Sequence, residues 1–198
     1  MILNISIIKT LYYSIKFKMT IFVGRNVAIK LSRNSNIISI PGARLSIGLG
    51  YYSTRKALLH IGNNGTLRIN GSVSIKKGAH ISIQNNATLE IGDQTFVNED
   101  SKVLIYNSCF IGSQTAISYE VLITDSDVHS FHHSSPNGNV YVGNRVWVGA
   151  RSTLLKKTNI DDNSVVAAGS VVNRTFPQSV LIAGNPAQIK KYDIIWEK

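Results

Sequence analysis

Six aliphatic residues, Val142, Val148, Leu154, Ile160, Val166 and Val172, follow one another at intervals of six. Four positions after each of the first five stand Val146, Ser152, Thr158, Ser164 and Ser170, all small or β-branched. The same register runs upstream through Ile105, Ile111, Ile117 and Ile123, with Cys109, Thr115 and Val121 at the small position. Farther back, Ile61, Ile69, Ile75, Ile83, Ile91, Val97 and Ile105 are spaced by eights and sixes, which read as hexads with a two-residue bulge at a corner. A repeat this short and regular is the mark of a solenoid. Each hexad supplies a short strand and a turn, and three close a triangular coil. The long residue fills the axis and the small one leaves room beside it, while coils stack by parallel pairing roughly 4.8 Å apart. The spacing predicts an all-β, parallel β-helix over residues 37–175, an N-terminal segment 1–36 that is partly helical, and a C-terminal extension 176–198.

Composition supports this and excludes several classes. Of 198 residues, 43% are hydrophobic and 16% charged, which is incompatible with wholesale disorder. Many of the Asn and Gly residues stand beside an aliphatic one, as in short strands joined by turns. A single cysteine excludes an internal disulfide framework and a Cys-rich zinc module. The net charge is +10, but the basic residues are spread along the chain without interleaved aromatics, so no nucleic-acid partner is expected. The apolar start is broken by Lys9, Lys16 and Lys18, unlike a secretory leader, and a cytoplasmic location is expected. Within it Ile8, Tyr12, Ile15, Met19 and Phe22 recur at helical spacing. Such a face packs on the protein or on a partner subunit, or rests as a basic amphipathic helix on a membrane surface.

The repeat fails at one place. After Ile123 the small position is Asp127 and the next apolar position is His129; the register resumes only at Val142. An unpaired carboxylate is costly inside a core, so residues 125–140 are expected to leave the prism as a polar loop. His129 is the candidate general base, because a histidine titrates near neutral pH and its neutral ring accepts a proton. Either Asp127 or a backbone carbonyl would orient the imidazole and stabilise its cation. His132 and His133 read as loop residues, His60 and His80 as structural, and Cys109, at an inward position, as an inert core thiol.

Residues 18 apart stack in consecutive coils, so Ala150 lies over Ala168 and Gly149 over Ala167. This column of small side chains suits either a thin pantetheine arm or simply tight turns. Neither a G-x-x-x-x-G-K-[ST] phosphate loop nor a G-x-G-x-x-G fingerprint is present.

The hexads, and the segment Val180-Leu181-Ile182-Ala183-Gly184-Asn185-Pro186-Ala187 with its A-G-x-P-A-like signature, resemble the hexapeptide-repeat acyltransferases, in particular the sugar and polysaccharide O-acetyltransferases. The resemblance covers about residues 37–191. It implies a left-handed β-helix, acetyl-CoA as acyl donor without a metal, a sugar or glycan acceptor, and a homotrimer with its sites between prisms. It implies His129 as the base and contacts to coenzyme A from Ala150, Ala168, Asn173, Arg174 and Lys191. Gln188 stands where some relatives carry Arg, with Lys190 as the available replacement. Tyr119 and Phe131, before and within the loop, are candidate acceptor contacts, and Trp147 either covers the donor or packs between subunits. The γ-class carbonic anhydrases share the scaffold, but His129, His132 and His133 lack their ligand spacing. Two other functions fit the same scaffold: N-acetylation of an amino-sugar nucleotide, and a non-catalytic β-helix.

Overall fold

The computed structural model describes residues 4–130 and 132–197. Three sheets each take every third strand of the chain. The first begins with Thr20–Val23 and continues through Arg44–Ile47 and Ser72–Ile75; the second begins with Val27–Leu31, the third with Asn36–Ser39. Successive strands within a sheet pair in parallel, as Val23 on Ile47, Ile47 on Ile75 and Ile75 on Val97. The chain thus visits three walls in turn and forms a three-sided parallel solenoid. Among the described strands it doubles back at the end, where Leu181–Gly184 pairs antiparallel with Ala187–Lys191. The coils start at Thr20, not near residue 37. In this first coil the equivalent positions Val23, Leu31, Ser39 and Ile47 are eight apart and one of them is a serine, so the six-residue register does not show.

Both positions of the repeat point inward. Ile105, Ile111, Ile117, Ile123, Val142, Val148, Leu154, Ile160, Val166 and Val172 are fully buried, and Ser152, Thr158, Ser164 and Ser170 are buried beside them. Hydroxyls at the small position tie one coil to the next. Thr115 Oγ1 donates to the Gly143 carbonyl at 2.8 Å and accepts the Val146 N–H, and Ser101 Oγ does the same for Ser118 and Val121. A buried hydroxyl satisfied on both sides carries no desolvation penalty. Removing one aliphatic member of the column should leave a void that stiff neighbouring coils cannot close. Ile117→Ala is expected to cost about 2–5 kcal/mol, read as a lower urea midpoint at unchanged slope.

The eight-residue spacings are longer walls, not corner bulges. Each inserts one more inward residue between the small and the long one: Leu67, Ile81, Leu89 and Val103, all fully buried. Two added residues keep the in–out alternation, whereas one would turn the wall inside out. The strand-to-strand step falls from 22 residues (Ile61 to Ile83) to 20 (Ile91 to Ile111), 18 (Val148 to Val166) and 16 (Val166 to Ile182). The prism tapers toward its C-terminal end.

Turns fall at three corners. At the corner between the second and third sheets, Asn34, Asn64 and Asn86 adopt positive φ, which Asn tolerates, and their amides form a ladder at 3.3 and 3.1 Å. Two corners carry extra chain. Residues 125–139 leave between the second and third sheets, as expected from the break in the repeat. A second protrusion, residues 48–56, leaves between the first and second sheets.

Helix α1 (Ile7–Phe17) lies along the free edge of Thr20–Val23. Ser14 Oγ bonds both the N–H and the carbonyl of Ile21, and Thr10 Oγ1 accepts the Val23 N–H. Unpaired edge groups invite strand addition, and these side chains occupy them. The apolar stripe does not pack inward. Ile8, Tyr12 and Ile15 are exposed, while Met19 and Phe22 lie beyond the helix, Met19 being buried and Phe22 on the first strand.

Candidate functional site

The His129 loop is held at its root. Asp125 is fully buried, and its carboxylate accepts the backbone N–H groups of Tyr106, Asn107 and Ser108, each at 2.7 Å. Burial pushes this carboxyl above its ordinary pKa, and the amide donors work against that rise. Asp125 therefore fixes the turn of the preceding coil and the point where the loop departs. Farther out, Asp127 N–H donates to the Pro136 carbonyl and Gly138 N–H to the Asp125 carbonyl, closing the loop on itself. Lys156 Nζ sits 2.6 Å from the Asp127 carboxylate and also donates to the Ser135 carbonyl, clamping both arms. His129 stands exposed at the outer part of this loop. Among the described residues no hydrogen bond joins Asp127 to His129. Phe131 lies outside the described residues.

A groove of about 640 Å³ occupies the corner between the first and second sheets, lined in part by Tyr52, Ser53, Tyr119, Ala150, Arg151 and Ala168. Three residues singled out in the sequence, Tyr119, Ala150 and Ala168, thus share one cleft. The stack is tight: a Cβ on Gly149 would come within 2.6 Å of Ala168 N and 2.7 Å of Val166 O, so that position admits only glycine. Some backbone donors there are already used. Trp147 N–H bonds Ser164 O, Gly149 N–H bonds Val166 O and Arg151 N–H bonds Tyr119 O, so these three are not free to hold an oxyanion. Arg151 pairs with Glu120 at 2.7 Å across the mouth, which draws the Glu120 carboxyl below its ordinary pKa.

Sequence reasoning missed the roof of this groove. Gly48-Leu49-Gly50 reads as a plain corner turn, yet residues 48–56 form a fastened loop. The buried Glu99 carboxylate accepts the N–H groups of Tyr51, Tyr52 and Ser53 at 2.6–3.2 Å. Ser53 Oγ donates to Asp100, and the Tyr52 ring meets Tyr119 edge-on at 6.5 Å. The available signal was the spacing: Leu31 to Ile61 is 30 residues, against 22 for the following coil. Replacing Glu99 with alanine should release the loop while the coils persist. Amide exchange at Tyr51, Tyr52 and Ser53 is expected to accelerate at least tenfold, from the loss of bonds of about 1.5 kcal/mol or more each.

Other residues singled out in the sequence lie elsewhere. Asn173 and Arg174 stand at the same corner as the His129 loop, and the Arg174 guanidinium bonds the Ala187 carbonyl and covers the Phe176 ring at 5.4 Å. Lys191 ends the antiparallel strand and is exposed. Trp147 donates its indole N–H to Ser118 Oγ and packs against Trp196 from the C-terminal tail. Cys109 is buried, and desolvation pushes its thiol up, with Asp125 adding to the rise, so it is no nucleophile. Among the described residues no group of three His, Cys, Asp or Glu side chains could hold a metal ion.

Stacked hexads with small residues along one grooved corner match the class that the sequence resembles, the hexapeptide-repeat acetyltransferases. No protein-family model matches the chain. The putative lipopolysaccharide biosynthesis O-acetyl transferase WbbJ of Escherichia coli is 32% identical over 157 residues, covering 70% of this chain and 80% of that protein. Among solved structures, the polysialic acid O-acetyltransferase OatWY superposes with a TM-score of 0.65 at 24% identity, over 87% of this chain and 88% of its own. PerB from Caulobacter crescentus, solved with CoA and GDP-perosamine, gives 0.50 at 21% identity, over 86% and 57%. The chain belongs to the hexapeptide-repeat O-acetyltransferases, and it is an enzyme of that kind.

Proposed function

We propose that the protein transfers acetyl from acetyl-CoA to a sugar hydroxyl of a bacterial surface polysaccharide, with His129 as general base on a left-handed β-helix. The observation that carries the reading is the convergence of Tyr119, Ala150 and Ala168 in one narrow corner groove, in a chain whose relative WbbJ is named for lipopolysaccharide O-acetylation. The pantetheine arm lies along Ala150 and Ala168, where larger side chains would obstruct it. Tyr119 and Tyr52 offer aromatic faces to the acceptor. An acetyl-CoA donor implies a cytoplasmic site of action.

His129 takes the acceptor proton as the sugar oxygen attacks the thioester carbonyl. The tetrahedral intermediate collapses, the C–S bond breaks, and the imidazolium returns its proton to the coenzyme A thiolate. Asp127 contributes by fixing the loop through Lys156. Asp127→Asn is therefore expected to lower kcat by no more than about tenfold, since an ion pair whose carboxylate is half exposed contributes about 1 kcal/mol. Lys156→Met should match it. A loss of about a thousandfold or more in Asp127→Asn alone would instead identify Asp127 as the partner of the imidazolium.

The groove and the His129 loop leave from different corners of the prism, on either side of the second sheet. One chain carries two halves of a site. A homotrimer, in which the corner of one prism faces the loop of the next, completes it; Asn173, Arg174 and Lys191 then reach the nucleotide end of the donor from their own corners.

The test is calorimetric titration with coenzyme A. Wild type should bind, and Ala168→Trp should weaken binding at least about tenfold at unchanged Tm, a loss of roughly 1.4 kcal/mol or more. Arg174→Ala is a poor probe, because it also frees the Ala187 carbonyl. Absence of wild-type binding at about 1 mM coenzyme A overturns the reading. The perosamine N-acetyltransferase among the structural neighbours keeps N-acetylation as a second reading; matched amino and hydroxyl acceptors separate the two.

A further inference from the structure

We propose that the N-terminal end of the prism docks on an anionic lipid bilayer, with the outward face of α1 lying in the interface. Three observations support this independently of the acetyl-transfer reading. First, α1 packs Tyr13 and Phe17, both half-buried, against the core and turns its other large apolar side chains outward. Ile7, Ile8, Leu11, Tyr12 and Ile15 are 72, 83, 58, 56 and 76% exposed, and no residue of the helix is buried. A contiguous apolar face of this kind marks an interaction site.

Second, this orientation is fixed. Thr10 and Ser14 bond the first strand, and Lys9 Nζ donates to the Val27 carbonyl at 2.7 Å. Rolling the helix to hide its apolar side would break these bonds and leave the edge strand open.

Third, the charge is polarised along the prism. The first 89 residues carry 12 Lys and Arg and no Asp or Glu; the remaining 109 carry 9 and 11. Because coils stack in chain order, the acid-free part is one end of the molecule, the end that bears α1. Lys16 and Lys18 flank the apolar face and are exposed. A basic amphipathic helix at the basic end of a protein matches an anionic interface, where the apolar face sinks and the lysines meet headgroups. A second copy fits this face poorly, since it would bring two acid-free ends together and set like charges against each other. Among the described residues no helix is long and apolar enough to cross a membrane; the 11-residue α1 lies on the surface.

The experiment is co-sedimentation of the full chain with vesicles of phosphatidylethanolamine and phosphatidylglycerol, and separately of phosphatidylcholine alone. Wild type is expected to bind the anionic vesicles and to be released by about 0.5 M salt. Ile8→Ser with Ile15→Ser, and separately Lys16→Glu with Lys18→Glu, should each weaken binding at least tenfold while coenzyme A titration is unchanged. That unchanged titration separates this proposal from the acetyl-transfer reading, which could fail alone. No binding, or equal binding to both vesicle types, overturns the proposal. So does a change in oligomeric state by light scattering in the Ile8/Ile15 variant with vesicle binding intact, which would give the face to a second copy.

Discussion

Replacing His129 with alanine is expected to reduce acetyl transfer by about 10²–10⁴-fold, the usual contribution of a positioned acid–base group. The measurement is thiol release from acetyl-CoA with a polysaccharide acceptor, beside coenzyme A affinity and Tm. His129 stands on the outer part of the loop, away from the Asp125 anchor and the Lys156 clamp, so fold and donor binding should be retained. His132→Ala and His133→Ala serve as controls within the same loop. If the His129 variant keeps activity within tenfold of wild type, the base is elsewhere and the loop has a different role.

Asp125→Ala should have the largest effect on stability of any change at the site. It leaves the N–H groups of Tyr106, Asn107 and Ser108 without their acceptor at a part-buried corner. Each unsatisfied donor costs about 1–3 kcal/mol, so a loss of roughly 3 kcal/mol or more is expected. Asp125→Asn keeps one acceptor oxygen and should recover part of it. Chemical denaturation of the three proteins gives the order wild type, Asn, Ala. Indistinguishable midpoints would mean that the corner turn holds without the carboxylate. Activity should fall with stability in the alanine variant, because the same residue sets where the His129 loop departs.

The hexads were legible because a prism axis admits few side chains, and the rule repeats at every turn. The small position was legible as a size, but its chemistry was not: Thr115 and Ser101 are there as much for bonds between coils as for room. The loop at 125–139 announced itself by placing Asp127 and His129 where the repeat demands apolar residues. The roof of the groove showed only as a long spacing from Leu31 to Ile61. Nothing in the sequence singles out Glu99, whose partners are backbone amides 46 to 48 residues away. The pairing of Asp127 with Lys156 is hidden for the same reason: the residues meet only after a full coil and loop have been wound. The stripe of α1 was legible as a pattern, while its direction depended on Thr10 and Ser14 finding the free strand edge. The net charge of +10 conceals a polarity that appears only when the chain is divided at its first acidic residue, Glu90.

The shrinking coils have a geometric consequence for assembly. Between a 22-residue and an 18-residue coil two of the three walls lose two residues each, roughly 7 Å at about 3.3 Å per residue. Wedges set side by side cannot keep parallel axes and full contact at once. Three such wedges in contact along their walls would lean together at the narrow C-terminal end and splay at the broad basic end. Such a trimer would be a tripod standing on three helices.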